Sequence, residues 1–465
     1  MTNRPNVLWI NTDQHTFRAL GCAEGVPHDI ETPNLDRLAR EGVFFERAYS
    51  PSPVCGPARA SLFTGLYPQE AGTDGNNGAP GEGVRTLPEL LRENGYHTGL
   101  VGKLHFSPKS GDHGFVHKRL HDAMYDIYRS EEPWTSDYVR WLADEKFDGD
   151  VQRVIDIANE DEASFHERGN LYRFLMGSNW RTEDEHSNTW VTDETIDYLR
   201  NRHEESFFCF TSYFGPHQPM HAPGRWADMY DPEDVQLPPE FDQSREKPSA
   251  AVKRDRGKIF RYYDRHDWPK ERYREVLAAY YGQVSMIDHG IGRILDALEE
   301  EGLTEDTIVV FTSDHGDHAG QLGWFGKSTM YETSVRIPLI VRDPQGAAGA
   351  RTDHAVNNLG LFQTVLDQCG VDYRETSSRS LVPLLEEPNR EDWEDETYSE
   401  LGKFSMLVRD DYKLIRAQAS NGDYVYELYD TTARPLDDQD LWDTPELQDK
   451  QDDMVRTLQR KVNDG

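Results

Sequence analysis

The chain has 465 residues, of which 36% are hydrophobic and 11% aromatic, so it can bury a large core and is not a disordered chain. Its 84 acidic and 50 basic residues give a formal net charge of −34. That sign argues against a protein that binds nucleic-acid phosphates or docks on an anionic membrane, and no apolar run approaches the roughly 18 residues of a membrane span.

Helical and strand patterns alternate along the first three quarters of the chain. The predicted strands lie at 7–10, 96–101, 207–213, 307–312 and 337–341, and the predicted helices at 32–40, 87–94 and 271–301. This alternation predicts a mainly parallel α/β sheet whose faces are covered by helices. In such sheets, ligands bind beyond the carboxyl ends of the strands.

Two stretches interrupt this pattern. Residues 116–190 and 224–275 are rich in Tyr, Trp, Arg and acidic residues, and they lack clear strand patterns. We interpret both as insertions that wall a substrate cleft, where aromatic rings stack on an aryl group or a sugar.

The pattern changes again near residue 372. Short alternating strands at 406–409, 412–415 and 424–429 precede a polar helix at about 445–462, which predicts a small antiparallel sheet with a helix. The sequence therefore predicts a catalytic domain at 1–371 and a smaller domain at 372–465.

The cysteine content indicates the compartment. Four cysteines, at positions 22, 55, 209 and 369, are too few for a disulfide framework. No signal peptide precedes the first apolar run. These features predict a reduced, cytoplasmic enzyme.

Carboxylates and imidazoles follow two of the predicted strands. Asp13 comes directly after the first strand, with Gln14 beside it, and Asp314 and His315 follow the strand at 307–312. Because the carboxyl ends of parallel strands meet at one edge, these groups can hold a divalent cation together. The alternative for each isolated Asp is a helix cap or a turn residue.

Basic side chains follow other strands. Lys103 and His105 are two positions apart, so in an extended segment they share a face, as a cation and a proton donor for an anionic group. His217 stands between two prolines that fix its direction, and Lys327 is a single cation reaching into a cleft. The alternative for Lys103, His105 and His217 is a solvated side chain.

The most specific motif is Cys-Gly-Pro-Ala-Arg at residues 55–59, followed by Thr-Gly at 64–65. Taken alone, Cys55 is a small buried hydrophobic residue. With its flanks, this Cys-x-Pro-x-Arg pattern resembles the signature of the type I sulfatases, which belong to the alkaline-phosphatase-like superfamily. In that family a formylglycine-generating maturation enzyme oxidises the cysteine to 3-oxoalanine (formylglycine), and the hydrated aldehyde is the nucleophile.

The resemblance extends along most of the chain. Segments similar to family motifs occur in the family's order, at Asp13, 32–39, 102–105 (Gly-Lys-Leu-His), 216–219 (Pro-His-Gln-Pro), 313–316 (Ser-Asp-His-Gly), Lys327 and 427–430 (Glu-Leu-Tyr-Asp).

Two positions depart from the common pattern. Gln14 stands where many sulfatases have a second Asp, and His315 where many have Asn. Both variants resemble the branch that holds choline sulfatases and the phosphonate and phosphate-diester hydrolases. The pair of Lys103 and His105 favours sulfate.

The resemblance implies a fold and a reaction. The fold is an alkaline-phosphatase-like α/β core, with a mixed, mainly parallel sheet flanked by helices and a smaller C-terminal antiparallel-sheet domain. The reaction is hydrolysis of a sulfate monoester to an alcohol and inorganic sulfate. One divalent cation, Ca²⁺ with Mn²⁺ or Zn²⁺ as alternatives because of the imidazole, would be held by Asp13, Gln14, Cys55, Asp314 and His315.

The resemblance also implies catalytic roles. One hydroxyl of the hydrated formylglycine attacks sulfur, and loss of the proton from the other later expels sulfate. Arg59 orients the formylglycine, and His105 hydrogen-bonds its second hydroxyl. Lys103 neutralises charge on the transferring group, while His217 and Lys327 lie near the leaving alcohol.

Three alternatives stay open. A phosphonate monoester or phosphate-diester hydrolase uses the same metal and nucleophile. A phosphomutase-like relative needs a Ser or Thr nucleophile, against which Cys55 argues, and a non-catalytic binding protein would lack several of these polar residues. The sequence leaves the alcohol half open among aryl, sugar and choline-like groups, and no motif indicates an oligomeric state.

The spread of acidic residues along the whole chain predicts adaptation to a salty cytosol. Such a surface repels itself, and at about 1 M salt the Debye length of roughly 3 Å screens most of that repulsion. We therefore expect the melting temperature to rise markedly between low salt and about 2 M KCl, measured by thermal denaturation. A flat or falling melting temperature would instead indicate an ordinary acidic enzyme.

Overall fold

The computed structural model describes residues 4–23, 30–73, 75–76, 78–122, 136–157, 171–176, 181–201, 205–242, 268–419, 421–433 and 436–464. Within them, nine strands form the larger sheet: β1 (Asn6–Asp13), β2 (Val43–Tyr49), β3 (His97–Gly102), β4 (His117–Leu120), β5 (Phe207–Pro216), β6 (Thr307–Ser313), β7 (Arg336–Ile337), β8 (Leu339–Arg342) and β9 (Ala350–Asn357).

The strand order in this sheet is β4-β3-β5-β1-β6-β8-β2-β7, with β9 paired to β2. The strands from β4 to β6 run parallel, whereas β8 is antiparallel to both β6 and β2. The sheet is therefore mixed and mainly parallel, which confirms the predicted fold class.

The central strand β1 is buried along its whole length. Val7 and Trp9 pack into the core on one face of the sheet, and Leu8 and Ile10 pack into the core on the other. This alternation follows from the period of two in a strand, and it explains why a fully covered strand reads as a continuous apolar run.

Helices cover the two faces. They span Pro33–Glu41, Cys55–Thr64, Leu87–Glu93, Asp137–Lys146, 151–157, Leu171–Met176, Ser187–Arg200, Lys270–Glu300, Glu332–Val335, Gly360–Gln368, Val382–Glu386 and Gln448–Asp464, with short 3-10 turns at Gly224–Trp226, Thr304–Asp306, Gln321–Gly323 and Pro445–Leu447. The three predicted helices of the first domain are confirmed.

A second, four-stranded antiparallel sheet follows in chain order: β10 (Glu396–Leu401), β11 (Phe404–Arg409), β12 (Tyr412–Gln418) and β13 (Tyr424–Asp430). Met454 and Leu458 of the last helix pack on it. This sheet and its helix were predicted, and the division of the chain at residue 371 stays a prediction.

The region 116–190 differs from its predicted character. It begins with β4, an edge strand of the main sheet, and Tyr138, Val139 and Leu142 of the following helix join the core. The prediction that this stretch lacks strands was therefore wrong at its start, because a four-residue strand rich in basic residues has no apolar run. Large parts of the two predicted insertions, at 123–135, 158–170, 177–180 and 243–267, lie outside the described residues.

Neither a membrane-spanning helix nor a disulfide occurs in the described part of the chain. None of its helices has both the length and the apolar character needed to cross a bilayer. All four cysteines lie within it and carry free thiols, as predicted for a chain without a disulfide framework.

A buried ionic cluster joins the two sheets. The Nζ atom of Lys413, on β12, lies 2.9 Å from Glu332 Oε1 and also contacts the Asp437 carboxylate, and all three side chains are at most 1% exposed. Tyr49 on β2 donates its hydroxyl to Glu332 Oε2 at 3.2 Å. Burial alone would lower the pKa of Lys413, but the two carboxylates raise it well above its ordinary value.

Replacing this ammonium tests how strongly the sheets are joined. Lys413→Met removes the ion pair of the buried Asp437 carboxylate and leaves Glu332 with the more distant Arg336, whose Nη1 lies 3.6 Å from Oε2, so we expect the free energy of unfolding to fall by about 3–5 kcal/mol. Urea denaturation of Lys450→Met, which removes a partly exposed ion pair with Asp410, is the control and should cost less than about 1 kcal/mol. Similar losses in the two variants would contradict the assigned role of Lys413.

Candidate active site

Two carboxylates meet at the carboxyl edge of the main sheet. Asp13 ends β1, and Asp314 comes directly after β6, the parallel neighbour of β1. The strands are in register, since Thr12 lies opposite Ser313, and the Asp314 amide donates to the Thr12 carbonyl at 3.2 Å. The sheet itself therefore places the two side chains together.

A compact set of metal-ligating atoms surrounds this point. Ligand atoms of Asp13, Cys55, Asp314 and His315 all lie within 4.8 Å of one another, and all four residues are buried. His315 donates its Nδ1 hydrogen to the Gly316 carbonyl at 2.9 Å, which leaves Nε2 as the ring atom that faces the other groups. Two carboxylates and an imidazole in one buried site are a donor set for a divalent cation.

Gln14 adds a further oxygen. Its side chain is fully buried, and its Oε1 has no hydrogen-bond partner among the described residues. A buried acceptor without a donor is rare and calls for a partner. The structure therefore groups the ligand atoms of four predicted ligands, Asp13, Cys55, Asp314 and His315, and places the Gln14 backbone amide 3.2 Å from Asp314 Oδ1.

Cys55 is the first residue of the helix Cys55–Thr64. Its Sγ lies 3.5 Å from Asp13 Oδ1, 3.1 Å from His315 Nε2 and 2.8 Å from Lys327 Nζ. Burial and Asp13 act to raise the pKa of the thiol, but the ammonium groups of Lys103 and Lys327 outweigh them, so it is lowered. The helix N-terminus favours the anion in the same direction.

Arg59 lies one helical turn after Cys55, on the same side of the helix. Its guanidinium is fully buried and donates to Asp314 Oδ2 at 2.8 Å, to the Lys103 carbonyl at 2.9 Å and to Ser212 Oγ at 2.9 Å, while Nη2 lies 3.4 Å from Asp13 Oδ2. This one side chain ties together the ends of four neighbouring strands.

Lys103 and His105 are positioned at the site by different contacts. The Lys103 ammonium bonds Asp13 Oδ2 at 2.5 Å and lies 4.9 Å from the centre of the Phe214 ring. His105 adopts a left-handed conformation, with a φ of 69°, and its amide donates to Asp122 Oδ1 at 2.8 Å. The pair was expected on one face of an extended segment, and that geometry was wrong, because the chain turns at His105. Burial and then Lys103 hold the pKa of His105 well below its usual value.

His217 and Lys327 complete the predicted set. His217 donates its Nδ1 hydrogen to the Gln218 carbonyl at 2.8 Å, and its ring centre lies 4.8 Å from that of Phe214. Burial and then Lys327 hold the pKa of His217 well below its usual value. Lys327 Nζ lies 3.0 Å from His315 Nε2 and 3.8 Å from Asp13 Oδ1.

Sequence reasoning missed the residues that support this site. Asn76 Oδ1 accepts the Gly56 amide at 3.0 Å, and a Cβ atom at Gly56 would lie 2.7 Å from the Asn76 backbone, so glycine is needed after Cys55. Asp122, Ser212 and Asp317 hold other site residues by hydrogen bonds. Of these supporting residues, only Asp317 directly follows a family-like motif, the segment Ser-Asp-His-Gly at 313–316.

The fold and the site together define a class. A mixed sheet with carboxylates at two neighbouring strand ends, and a thiol at a helix N-terminus against them, is the arrangement of a hydrolase of the alkaline-phosphatase-like superfamily. The family model described as Sulfatase matches residues 5–371, and the model described as N-sulphoglucosamine sulphohydrolase, C-terminal, matches residues 320–464. The chain belongs to the sulfatase family, and it is a sulfuric ester hydrolase that releases an alcohol and inorganic sulfate.

Relatives and solved structures cover most of this chain. An arylsulfatase of Clostridium perfringens is 33% identical over 419 residues, which cover 85% of this chain and 81% of that protein. A solved structure in complex with its substrate D-glucosamine-2-N,6-O-disulfate has a TM-score of 0.76 at 22% identity and covers 99% of this chain and 98% of its own. The phosphonate monoester hydrolase of Agrobacterium radiobacter has a TM-score of 0.74 at 22% identity, with 98% and 95% covered.

Proposed function

We propose that Cys55 is matured to formylglycine and serves as the nucleophile of sulfate-ester hydrolysis, beside one divalent cation held by Asp13, Gln14, Asp314 and His315. The observation that carries this proposal is the placement of Cys55 Sγ within 4.8 Å of ligand atoms of three of those residues. A buried structural cysteine has no need of such neighbours.

The cation would have a defined chemical task. When bound, it polarises a sulfate oxygen and lowers the pKa of the hydroxyl that attacks sulfur. The oxygen ligands favour Ca²⁺, and the imidazole of His315 keeps Mn²⁺ and Zn²⁺ as alternatives.

The basic side chains have separate roles in the proposed reaction. Arg59 fixes the two aspartates and the start of the nucleophile's helix through the contacts described above. Lys103 and Lys327 face the buried centre as ammonium groups and offset charge on the transferring sulfuryl group. His105, held neutral by burial, hydrogen-bonds the second hydroxyl of the formylglycine.

The departing alcohol needs a proton, and the tautomer of His217 decides whether that ring can donate it. Because Nδ1 donates to a carbonyl, Nε2 of the neutral ring is an acceptor. We therefore assign proton donation to the Lys327 ammonium, and hydrogen bonding near the leaving oxygen to His217.

Hydrolysis of a phosphonate monoester or a phosphate diester is the second candidate. Gln14 and His315 favour it, since both resemble the branch that contains those enzymes, whereas Lys103 and His105 favour sulfate. The alcohol half is proposed as aryl, sugar or choline-like. Maturation by a formylglycine-generating enzyme and a cytoplasmic location remain parts of the proposal.

Maturation of Cys55 can be tested by mass and by activity. The intact chain should read about 18 Da below its unmodified mass, because an aldehyde replaces the thiol. Cys55→Ala should abolish turnover while circular dichroism and melting temperature stay near wild type, and Cys369→Ala, at a buried cysteine remote from the site, should keep its activity. Near-normal rates in Cys55→Ala would rule out the formylglycine mechanism.

Comparison of matched esters separates the two candidate reactions. We expect kcat/KM for an aryl sulfate to exceed that for the matched phosphonate monoester and phosphate diester, because specificity lies in transition-state binding. Lys103→Ala should lower sulfate turnover more than diester turnover, and Lys450→Ala, at a partly exposed lysine paired with Asp410, should change neither. A wild-type preference for the phosphonate or the diester would favour the second candidate.

A further inference from the structure

We propose that Asp317 and Gln218 are positioning residues that lock the side-chain amide of Gln14, so that its oxygen is the atom left for the cation. This inference rests on the proposed cation site and adds two residues to which no role has been assigned. It also makes Gln14 and Asp317 a hydrogen-bonded pair, in which a neutral amide donates to an anionic carboxylate.

The amide nitrogen of Gln14 has two hydrogens, and both have acceptors. Nε2 donates to Gln218 Oε1 at 2.8 Å and to Asp317 Oδ2. The reversed amide would set Oε1 against the Asp317 carboxylate, which offers no hydrogen. The amide therefore has one orientation, in which Oε1 is buried and has no hydrogen-bond partner among the described residues.

The backbone of Gln14 is fixed as well. Its φ of 65° lies in the left-handed region, which a non-glycine residue enters at a cost, and such residues cluster at functional sites. The Tyr280 hydroxyl donates to the Gln14 carbonyl at 2.8 Å and accepts the Thr16 amide at 2.9 Å. The Gln14 amide donates to Asp314 Oδ1 at 3.2 Å. Main chain and side chain are thus held independently.

Asp317 ties Gln14 to a second part of the site. The same Oδ2 atom accepts the Gly326 amide at 3.1 Å, and Oδ1 accepts the Ala319 amide at 2.6 Å. Gly326 directly precedes Lys327, so one buried carboxylate joins the residue offered to the cation to the loop that carries the proposed proton donor.

The charges of the pair have to match. A carboxylate at position 14 would set two buried anions in contact with no hydrogen between them, which is strongly unfavourable. A neutral amide supplies the two hydrogens that Asp317 and Gln218 require. The pairing thus accounts for an amide, and not a second acid, beside Asp13.

A double-mutant cycle on cation affinity tests this coupling. The probes are Ca²⁺, Mn²⁺ and Zn²⁺, titrated calorimetrically into protein made without a maturation enzyme, so that neither formylglycine nor activity enters the readout. We expect Asp317→Ala to weaken binding by about 10–100-fold, as the loss of a residue that orients a ligand does. Asp317→Asn, which keeps an acceptor for Gln14 and Gly326, should lose less.

The cycle is closed with Gln14→Ala. If Asp317 acts through Gln14, adding Asp317→Ala to that variant should weaken binding little further. Asp288→Ala is the matched control, since Asp288 is also a buried carboxylate that accepts backbone amides, at the start of the helix Pro33–Glu41, and its loss should leave the cation affinity unchanged.

The outcomes separate this inference from the proposed function. Unchanged affinity in Asp317→Ala, or an equal loss with and without Gln14, would overturn the positioning role while leaving the cation site in place. If wild type bound none of Ca²⁺, Mn²⁺ and Zn²⁺, the proposed cation site and the positioning role would fall together. Melting temperatures of the metal-free variants identify any that fail to fold.

Discussion

The burial of two carboxylates side by side is the constraint on which the rest of this site depends. Asp13 and Asp314 are both fully buried, and unpaired charges in such a place cost several kcal/mol each. Burial alone would raise the pKa of Asp13, yet Lys103, Lys327, His217 and Arg59 together hold it well below its ordinary value. A chain with a net charge of −34 thus places four basic side chains around the buried acids at this sheet edge.

The same constraint explains why the helix of Cys55 begins where it does. Arg59 has to reach both carboxylates from one helical turn away, so the first turn must lie directly over the ends of β1 and β6. The same placement of the helix puts Cys55 beside the two carboxylates. The position of the proposed nucleophile therefore follows from the electrostatics of the sheet edge.

Much of the fold was predictable because central strands carry continuous apolar runs. The strands β2 and β9 were missed for the opposite reason: β2 has Glu46 and Arg47 in its middle, and β9 has mostly polar residues with half-buried positions. The second sheet was predicted from alternation and turns, although β10, which contains Glu396, Ser399 and Glu400, was not.

The six catalytic candidates and the five proposed cation ligands were predicted from local motifs, and the structure places seven of these residues in one contacting group: Asp13, Cys55, Arg59, Lys103, Asp314, His315 and Lys327. The supporting residues were not, since their partners are far away in the chain. Gln14 bonds Gln218, 204 positions later, and Asp317, 303 positions later. The turn at His105 was equally hidden, because a left-handed conformation at a residue other than glycine leaves no compositional signal.

The burial of Cys55 has a consequence for biosynthesis. In the folded chain this residue is 1% exposed, so another enzyme cannot take it into its own active site. On the proposed maturation, oxidation must precede the closing of the sheet edge around the helix. Asp314, directly after β6, and Lys413, on β12, are translated long after Cys55. The interval between synthesis of Cys55 and arrival of these late segments is therefore the time available for maturation, and a chain that folded faster than it was modified would remain permanently inactive.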